Sequence, residues 1–378
     1  MCPISAGVFP ISSSKHSVII VGGGVIGLFS ALELHRAGLQ VTVIDRQTCG
    51  RESSWAGGGI ISPLYPWRYP DAVTRLAQLS QQIYPELLSG MQQQTGIDPE
   101  FLPSGMLILG DYDHEKPEPW SRRFDVEMQA VDSKKIRVLA PEVSSDLEQG
   151  WWLPAVHQVR NPRLVNLLKA YLISRGITLV ENEAVKEILT DHGTAIGVRT
   201  HTATYQADST LIAGGAWTAQ ILETTGVKLD IKPIKGQMLL FHGPAQTIRH
   251  ITLSEDRYII PRLDGRVLVG STTEETGFDK STSTEVRELL QDYAQRTIPA
   301  IKQFNLEMHW SGLRPGSKQG IPSIGKHPFL SNLFINSGHY RNGLVMAPAS
   351  ARLVCEIMLE KPTSLAQSDY APCDKLHT

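Results

Sequence analysis

SVIIVGGGVIGLFSALELHRAGLQVTVID, residues 17–45, is the stretch that decides the fold. Val18 to Val21 is a continuous apolar run, as expected of a parallel strand with no polar face to show. Gly22, Gly23, Gly24 and Gly27 follow in the pattern G-x-G-x-x-G. From Val25 the apolar positions Ile26, Phe29, Ala31, Leu32 and Leu34 fall on one helical stripe, and Gly38 stands where a glycine closes a helix. Val41 to Ile44 predicts a second strand that ends on Asp45.

Each part of this unit has a physical task. Gly22 permits a tight turn, Gly24 lets backbone approach a pyrophosphate, and Gly27 lets helix and strand pack closely. Free N–H groups and the helix dipole then face the phosphates. Asp45 stands where a carboxylate accepts hydrogen bonds from an adenosine ribose. Glycines alone would serve any βα turn; strand, helix, second strand and terminal acid in register predict dinucleotide binding. The acid argues against a 2′-phosphate and so against NADP, and leaves FAD and NAD both open.

Outward from this unit, Cys49 to Ser62, CGRESSWAGGGIIS, is dominated by small residues. Ser53, Ser54, Ala56, Gly57 and Gly58 suit backbone lying against a flat ligand; a surface loop is the alternative reading. Asp71 is expected to cap a helix carrying Val73, Leu76, Leu79, Ile83 and Leu87. Strands are predicted at 105–109, from Trp151, and at 177–180 and 184–189, with helices near 132–139 and from Asn161-Pro162. ADSTLIAGG, 207–215, reads as a strand running into Gly214, Gly215 and Trp217, a second place where backbone can come near a cofactor. From Lys232 the signals are antiparallel: strands at 238–242 and 258–262, a turn at 263–265, a strand at 267–271. A helix over 283–296 and a strand over 308–313 follow, then strands at 321–324 and 333–337 and a helix through 345–359. The order parallel, antiparallel, parallel implies an α/β fold whose nucleotide domain is discontinuous.

Composition narrows the function class. With 378 residues and 41% hydrophobic content the chain can bury a large core, and its length points to two domains. A formal charge of −2 without a long basic run argues against nucleic acid and anionic membrane surfaces as partners. No apolar stretch approaches the ~20 residues of a membrane span. Cys2, Cys49, Cys355 and Cys373 have no metal-ligand spacing and read as unpaired thiols of a reducing cytoplasm. The 12 histidines form no cluster either, and no metal is expected. Residues 1–16 do not read as a secretory signal and are expected to be a flexible leader.

Four further segments carry a resemblance: GQMLLF from Gly236, DRYIIPRLDGRVLVGST from Asp256, WSGLRPGSKQGIPSIGKHP from Trp310 and GHYRNGLVMAPASARLV from Gly338. With the glycine motif they are similar to bacterial glycine oxidases, ThiO-type flavoenzymes of the D-amino-acid oxidase superfamily. The resemblance implies non-covalent FAD, oxidation of glycine and related small amines to imines with O2 reduced to hydrogen peroxide, a place in thiamine biosynthesis, and a homotetramer. It implies a Rossmann-like FAD-binding domain over 17–88, 150–228 and 318–378. The substrate domain, with a mixed and largely antiparallel sheet, would then be 89–149 and 229–317.

An amino-acid oxidase must hold a carboxylate so that the Cα–H faces the flavin, and a guanidinium does so with two charge-assisted hydrogen bonds. The family's arginine for this task matches Arg314, its active-site tyrosine matches Tyr258, and its second arginine near substrate and flavin matches Arg341. No dedicated base is required if the amine binds neutral, because placement supplies most of the acceleration. Expected cofactor contacts are Gly22, Gly24, Val25, Ile26, Gly27, Asp45 and Arg46, then Ser53, Ser54, Ala56, Gly57, Gly58, Val185, Gly214, Gly215 and Trp217. Gly312, His339, Arg341, Asn342, Gly343 and Leu344 complete them, the dipole of the last helix facing the flavin's pyrimidine edge.

Two positions depart from the family pattern. Asp256 replaces a histidine and is expected to repel anionic side chains at the pocket mouth. Thr273 replaces a methionine and is expected to make the wall smaller and more polar. Sarcosine or D-amino-acid specificity, a flavoprotein dehydrogenase and a non-catalytic assembly factor are the alternatives. Monomeric sarcosine oxidases hold flavin through a cysteine in the region that matches 312–317; these residues contain none, which on that likeness argues against covalent flavin.

Overall fold

The computed structural model describes residues 16–110, 113 and 115–372. The expected leader lies outside the described residues apart from His16, whose ring bonds Ser209 Oγ at 3.0 Å; Cys2 and Cys373 also lie outside them. Strand Ser17–Val21, helix Val25–Arg36 and strand Gln40–Ile44 form the predicted unit. They belong to a six-stranded sheet ordered 323–326, 333–337, 209–212, 17–21, 40–44, 178–180. All its pairings are parallel except that of Ser323–Lys326 with Leu333–Ser337, so the chain's return to this sheet begins with an antiparallel edge.

The apolar run at 18–21 is covered on both faces, but by different layers. Helices Val25–Arg36, Asp71–Thr95, Asn161–Ser174 and Gly343–Met358 pack one face around Ile20, Leu28, Leu76, Leu168 and Val354. On the other face Ile19, Val21, Ile44 and Ile212 meet Ile188, Ala195 and Val198 of a three-stranded antiparallel sheet, 187–191, 194–199 and 204–206. Burying some dozens of such side chains at roughly 1.5–3 kcal/mol each is what fixes this layering.

The second sheet has eight strands ordered 305–316, 232–242, 266–270, 257–261, 251–254, 106–109, 149–153, 129–132. Its pairings are antiparallel except that of Ile251–Ser254 with Met106–Leu109, the mixed, largely antiparallel sheet that was expected. Strand Gln149–Leu153 is part of it, with Trp151 and Leu153 packed among Met106, Ile108 and Leu253. A boundary at 149/150 therefore cuts through a strand of this sheet. One face buries Leu239, Ile259 and Val269 beneath helix Thr284–Thr297; the other presents Met238, Tyr258 and Ile260 toward the first domain.

Asp71 does not cap its helix. Pro70 is the N-cap, and the Asp71 carboxylate pairs with Arg123 and, at 3.6 Å, with Arg75. Both described cysteines are buried: burial pushes the Cys49 thiol up to about 12 and the Cys355 thiol up to about 11.

Candidate active site

The glycine turn is built as its sequence requires. Gly22 has φ +110°, and a Cβ there would meet the Ala213 carbonyl carbon at 2.7 Å. Gly27 lies under the turn, where a Cβ would strike the Gly22 carbonyl, so it packs rather than lining a cavity. Asp45 Oδ2 accepts from Gly23 N at 2.7 Å and Oδ1 from Gln47 N at 2.8 Å. Its carboxylate thus braces the turn, and a ribose would share it. Burial raises the pKa of Asp45 despite these two bonds.

Two cavities meet at this turn. Gly24, Ser53, Ser54, Ala213 and Gly215 line both. Gly22, Asp45, Arg46, Val185, Gly214 and Trp217 line the first alone. The second is walled by Val25, Ile26, Ala56, Gly57, Gly58, Gly312, His339, Arg341, Gly343 and Leu344, and also by Tyr258 and Arg314. The small-residue run is therefore wall, not surface loop: it folds into helix Ser53–Ala56 and strand Ile60–Ile61. Ser54 ties it to the first helix, its Oγ accepting from Val25 N at 2.8 Å.

At the far end of the first cavity the Arg46 guanidinium lies 3.5 Å from the Trp217 ring centroid, and Phe278 stacks on Trp217 with centroids 5.4 Å apart. Glu52 holds Arg46 at 2.6 Å and Lys280 at 3.3 Å, joining the two domains across this cavity.

The floor of the second cavity is the long pair of strands Lys232–His242 and Asn305–Gly316. Gly236 stands opposite Gly312, and Met238 opposite Trp310. Met238 and Tyr258 both pair with Gly270, so Trp310, Met238, Gly270 and Tyr258 form one row on one face. The facing glycines leave a slot. A Cβ on Gly312 would come 2.6 Å from Ala56 Cβ, and one on Gly236 2.5 Å or less from the Arg314 guanidinium. Arg314 lies flat on Gly236, donating from Nη2 to Ser271 Oγ at 2.6 Å and from Nη1 to the Thr272 carbonyl at 3.1 Å. Burial pulls its pKa down, and Arg341 adds to this, while the neighbouring Tyr258 hydroxyl works the other way.

His339 is buried, and desolvation pulls its pKa down to about 3, so the imidazole is neutral at physiological pH. Ser350 Oγ donates to Asn336 Oδ1 at 2.5 Å; it must then accept from His339 Nε2 at 2.7 Å. That assignment leaves Nδ1 as a bare acceptor, and it has no protein partner. Asn342 does not line either cavity: it is the N-cap of helix Gly343–Met358, and its buried Nδ2 is likewise unpartnered.

Several wall residues were not among the expected contacts: Asn161, Ile60, Ser62, Leu64, Met238 and Tyr340. Asn161 was legible as a helix start; its Nδ2 donates to the Ser54 carbonyl at 2.9 Å. Arg262, buried, supports Gly58 from below, Nη2 donating to its carbonyl at 2.8 Å. Neither Asp256 nor Thr273 lines the cavities. The Asp256 carboxylate is turned outward onto Arg68 at 2.7 Å, and only its carbonyl faces Arg341, at 3.4 Å. Thr273 is exposed on the loop after Gly270. The effects expected of these two side chains on the pocket wall do not arise from where they stand.

A helix N-terminus between two cavities, a platform of indole and guanidinium in one, and a glycine-floored slot with buried acceptor and donor atoms at the other fit FAD. The model of the DAO family, FAD dependent oxidoreductase, matches residues 17–357. The chain is 41% identical to the glycine oxidase of Pseudomonas aeruginosa over 95% of its own length and 99% of that protein. It is 32% identical to the bifunctional protein ThiO/ThiG of a Synechocystis strain over 94% of the chain and 53% of that protein. Among solved structures it superposes on the glycine oxidase of Geobacillus kaustophilus with a TM-score of 0.90 at 27% identity, covering 96% of this chain and 100% of that one. The chain belongs to the DAO family of FAD-dependent oxidoreductases, and its cofactor is FAD.

Proposed function

We propose that this chain oxidises glycine and related small amines to the imine, which water hydrolyses to glyoxylate and ammonia. The observation that carries the reading is the Arg314 guanidinium lying flat over Gly236, beside Tyr258 and open to the cavity. When bound, FAD supplies a two-electron acceptor that O2 reoxidises, giving hydrogen peroxide. Arg314 and the Tyr258 hydroxyl hold the substrate carboxylate, which fixes the amine and the Cα–H toward the walls formed by Gly58, Ile60 and Gly312. Arg341 and the N-terminus of helix 343–358 would stabilise negative charge on the bound cofactor. The neutral His339 Nδ1 would accept a hydrogen bond from the cofactor without adding charge.

Support for glycine as substrate comes from the 41% identical relative, and for a role in supplying the imine to thiazole formation from the ThiO/ThiG relative. Among the described residues no helix is long and apolar enough to cross a membrane. A homotetramer in the cytoplasm is part of the proposal on family likeness, checked by light scattering. The central test is Arg314→Leu: anaerobic glycine bleaches the flavin of the parent protein, and the variant should stay yellow and unreduced. A variant reduced as fast as the parent would defeat the assignment.

A further inference from the structure

Behind the floor of the cavity is a polar cluster around one buried lysine that the reaction above does not use. Lys235, 4% exposed, sits on the strand that carries Gly236, with its side chain on the opposite face from Arg314. Its Nζ donates to Asp279 Oδ2 at 2.9 Å and to the Ser281 carbonyl at 3.2 Å, and pairs with Glu274 Oε2 at 3.3 Å. Burial alone would lower its pKa; Asp279 and Glu274 raise it instead, and Lys235 stays charged.

These partners lie on the segment that follows strand 266–270. There the register slips. Met238 pairs with Gly270, yet Lys235 exchanges backbone bonds at 2.9 Å with Glu274. Three steps on one strand face four on the other, which is a β-bulge over residues 271–273, and a bulge re-aims the groups beside it. Here it turns the Ser271 hydroxyl and the Thr272 carbonyl onto the Arg314 guanidinium. Glu274 holds the bulge: it accepts from Thr272 Oγ1 and, at 3.0 Å, from Gln237 Nε2, while Gln237 N donates to Thr272 Oγ1 at 2.9 Å. Lys235 adds a positive charge to this set, its Nζ 3.3 Å from Glu274 Oε2.

We propose that Lys235, acting through Glu274 and the bulge at 271–273, is a positioning residue that aims Arg314 at the substrate carboxylate. It touches neither substrate nor cofactor. Its effect is on the orientation of the guanidinium, and therefore on carboxylate binding, since a flat clamp loses one of its two parallel bonds when it tilts. The inference rests on the role given above to Arg314.

The test uses FAD-loaded protein and glycolate, which has the carboxylate and no amine, titrated by the change in flavin absorbance. Lys235→Met should raise the glycolate Kd and the glycine KM together by about tenfold, with kcat moved by no more than about twofold. FAD affinity should be unchanged, and Lys235→Arg should restore most of the glycolate binding. Unaltered glycolate binding in Lys235→Met, or a loss that follows a loss of FAD, overturns the proposal. If that variant does not fold, Glu274→Gln replaces it: a smaller rise in the glycolate Kd is expected, and none refutes the mechanism. Parent protein that neither binds glycolate nor is bleached by glycine would instead remove the reading of Arg314, and this inference with it.

Discussion

Gly236→Ala tests the slot in which the clamp lies. A methyl group there would come 2.5 Å or less from the Arg314 guanidinium, against an ordinary contact of about 3.5–4.0 Å. The floor cannot give way, because Gly236 and its opposite number Gly312 sit in the middle of a long antiparallel ladder. Arg314 must therefore lift by about 1 Å, leaving Ser271 Oγ and the Thr272 carbonyl. Hydrogen bonds to charged groups are worth about 1.5–3 kcal/mol each, and a lifted guanidinium offers the carboxylate a tilted single bond in place of two. A net loss of about 3 kcal/mol corresponds to a fall of roughly a hundredfold in kcat/KM for glycine. The assay is steady-state oxygen consumption, with the flavin spectrum as a control for an intact cofactor site. An alanine variant that keeps its spectrum and the parent's kcat/KM would refute the argument that Gly236 exists to seat Arg314.

Trp217→Ala should weaken FAD by roughly tenfold in fluorescence titration, through loss of the Arg46–Trp217–Phe278 stack, while the residual yellow protein is still bleached by glycine. Tyr258→Phe removes one donor to the carboxylate and should raise the glycine KM by about fivefold in steady-state assays, much less than Arg314→Leu. Acid should loosen the protein through His339. Its folded pKa of about 3 lies below the ordinary 6.5, so the unfolded chain binds the extra proton, and stability present above pH 6.5 is lost as pH falls toward 3. In thermal melts of the FAD-free protein, His339→Asn should flatten the acid limb between those values; an unchanged limb would assign it to other groups.

The first domain was legible because its chemistry is local. The glycine turn, the helix it opens and the acid that closes it lie within 29 consecutive residues, and backbone conformation there follows from glycine placement. GLRPG and GHYRNG pointed to Arg314 and Arg341 only through the likeness to the family. What escaped the sequence depends on register between distant segments. Nothing in GQMLLF announces that Gly236 faces Gly312, that a bulge beyond Gly270 presents a carbonyl to Arg314, or that Arg262 reaches under Gly58. The same limit governs Asp256: its charge was readable and its partner Arg68 was not. The antiparallel cover of the nucleotide sheet was missed because an apolar strand looks alike whether a helix or a sheet lies on it.

Cys49 and Cys355 acquire a meaning from the product of the proposed reaction. A flavoenzyme that releases hydrogen peroxide exposes itself to an oxidant that attacks thiolates far faster than thiols. Cys49 lies beneath the glycine turn, where a Cβ on Gly23 would strike its sulfur, and its ionisation is pushed up to about 12. Cys355 is likewise buried, its thiol pushed up to about 11. Both stay protonated at neutral pH and nearly out of contact with solvent, so the sulfur beneath the glycine turn is shielded from sulfenic acid formation while turnover proceeds.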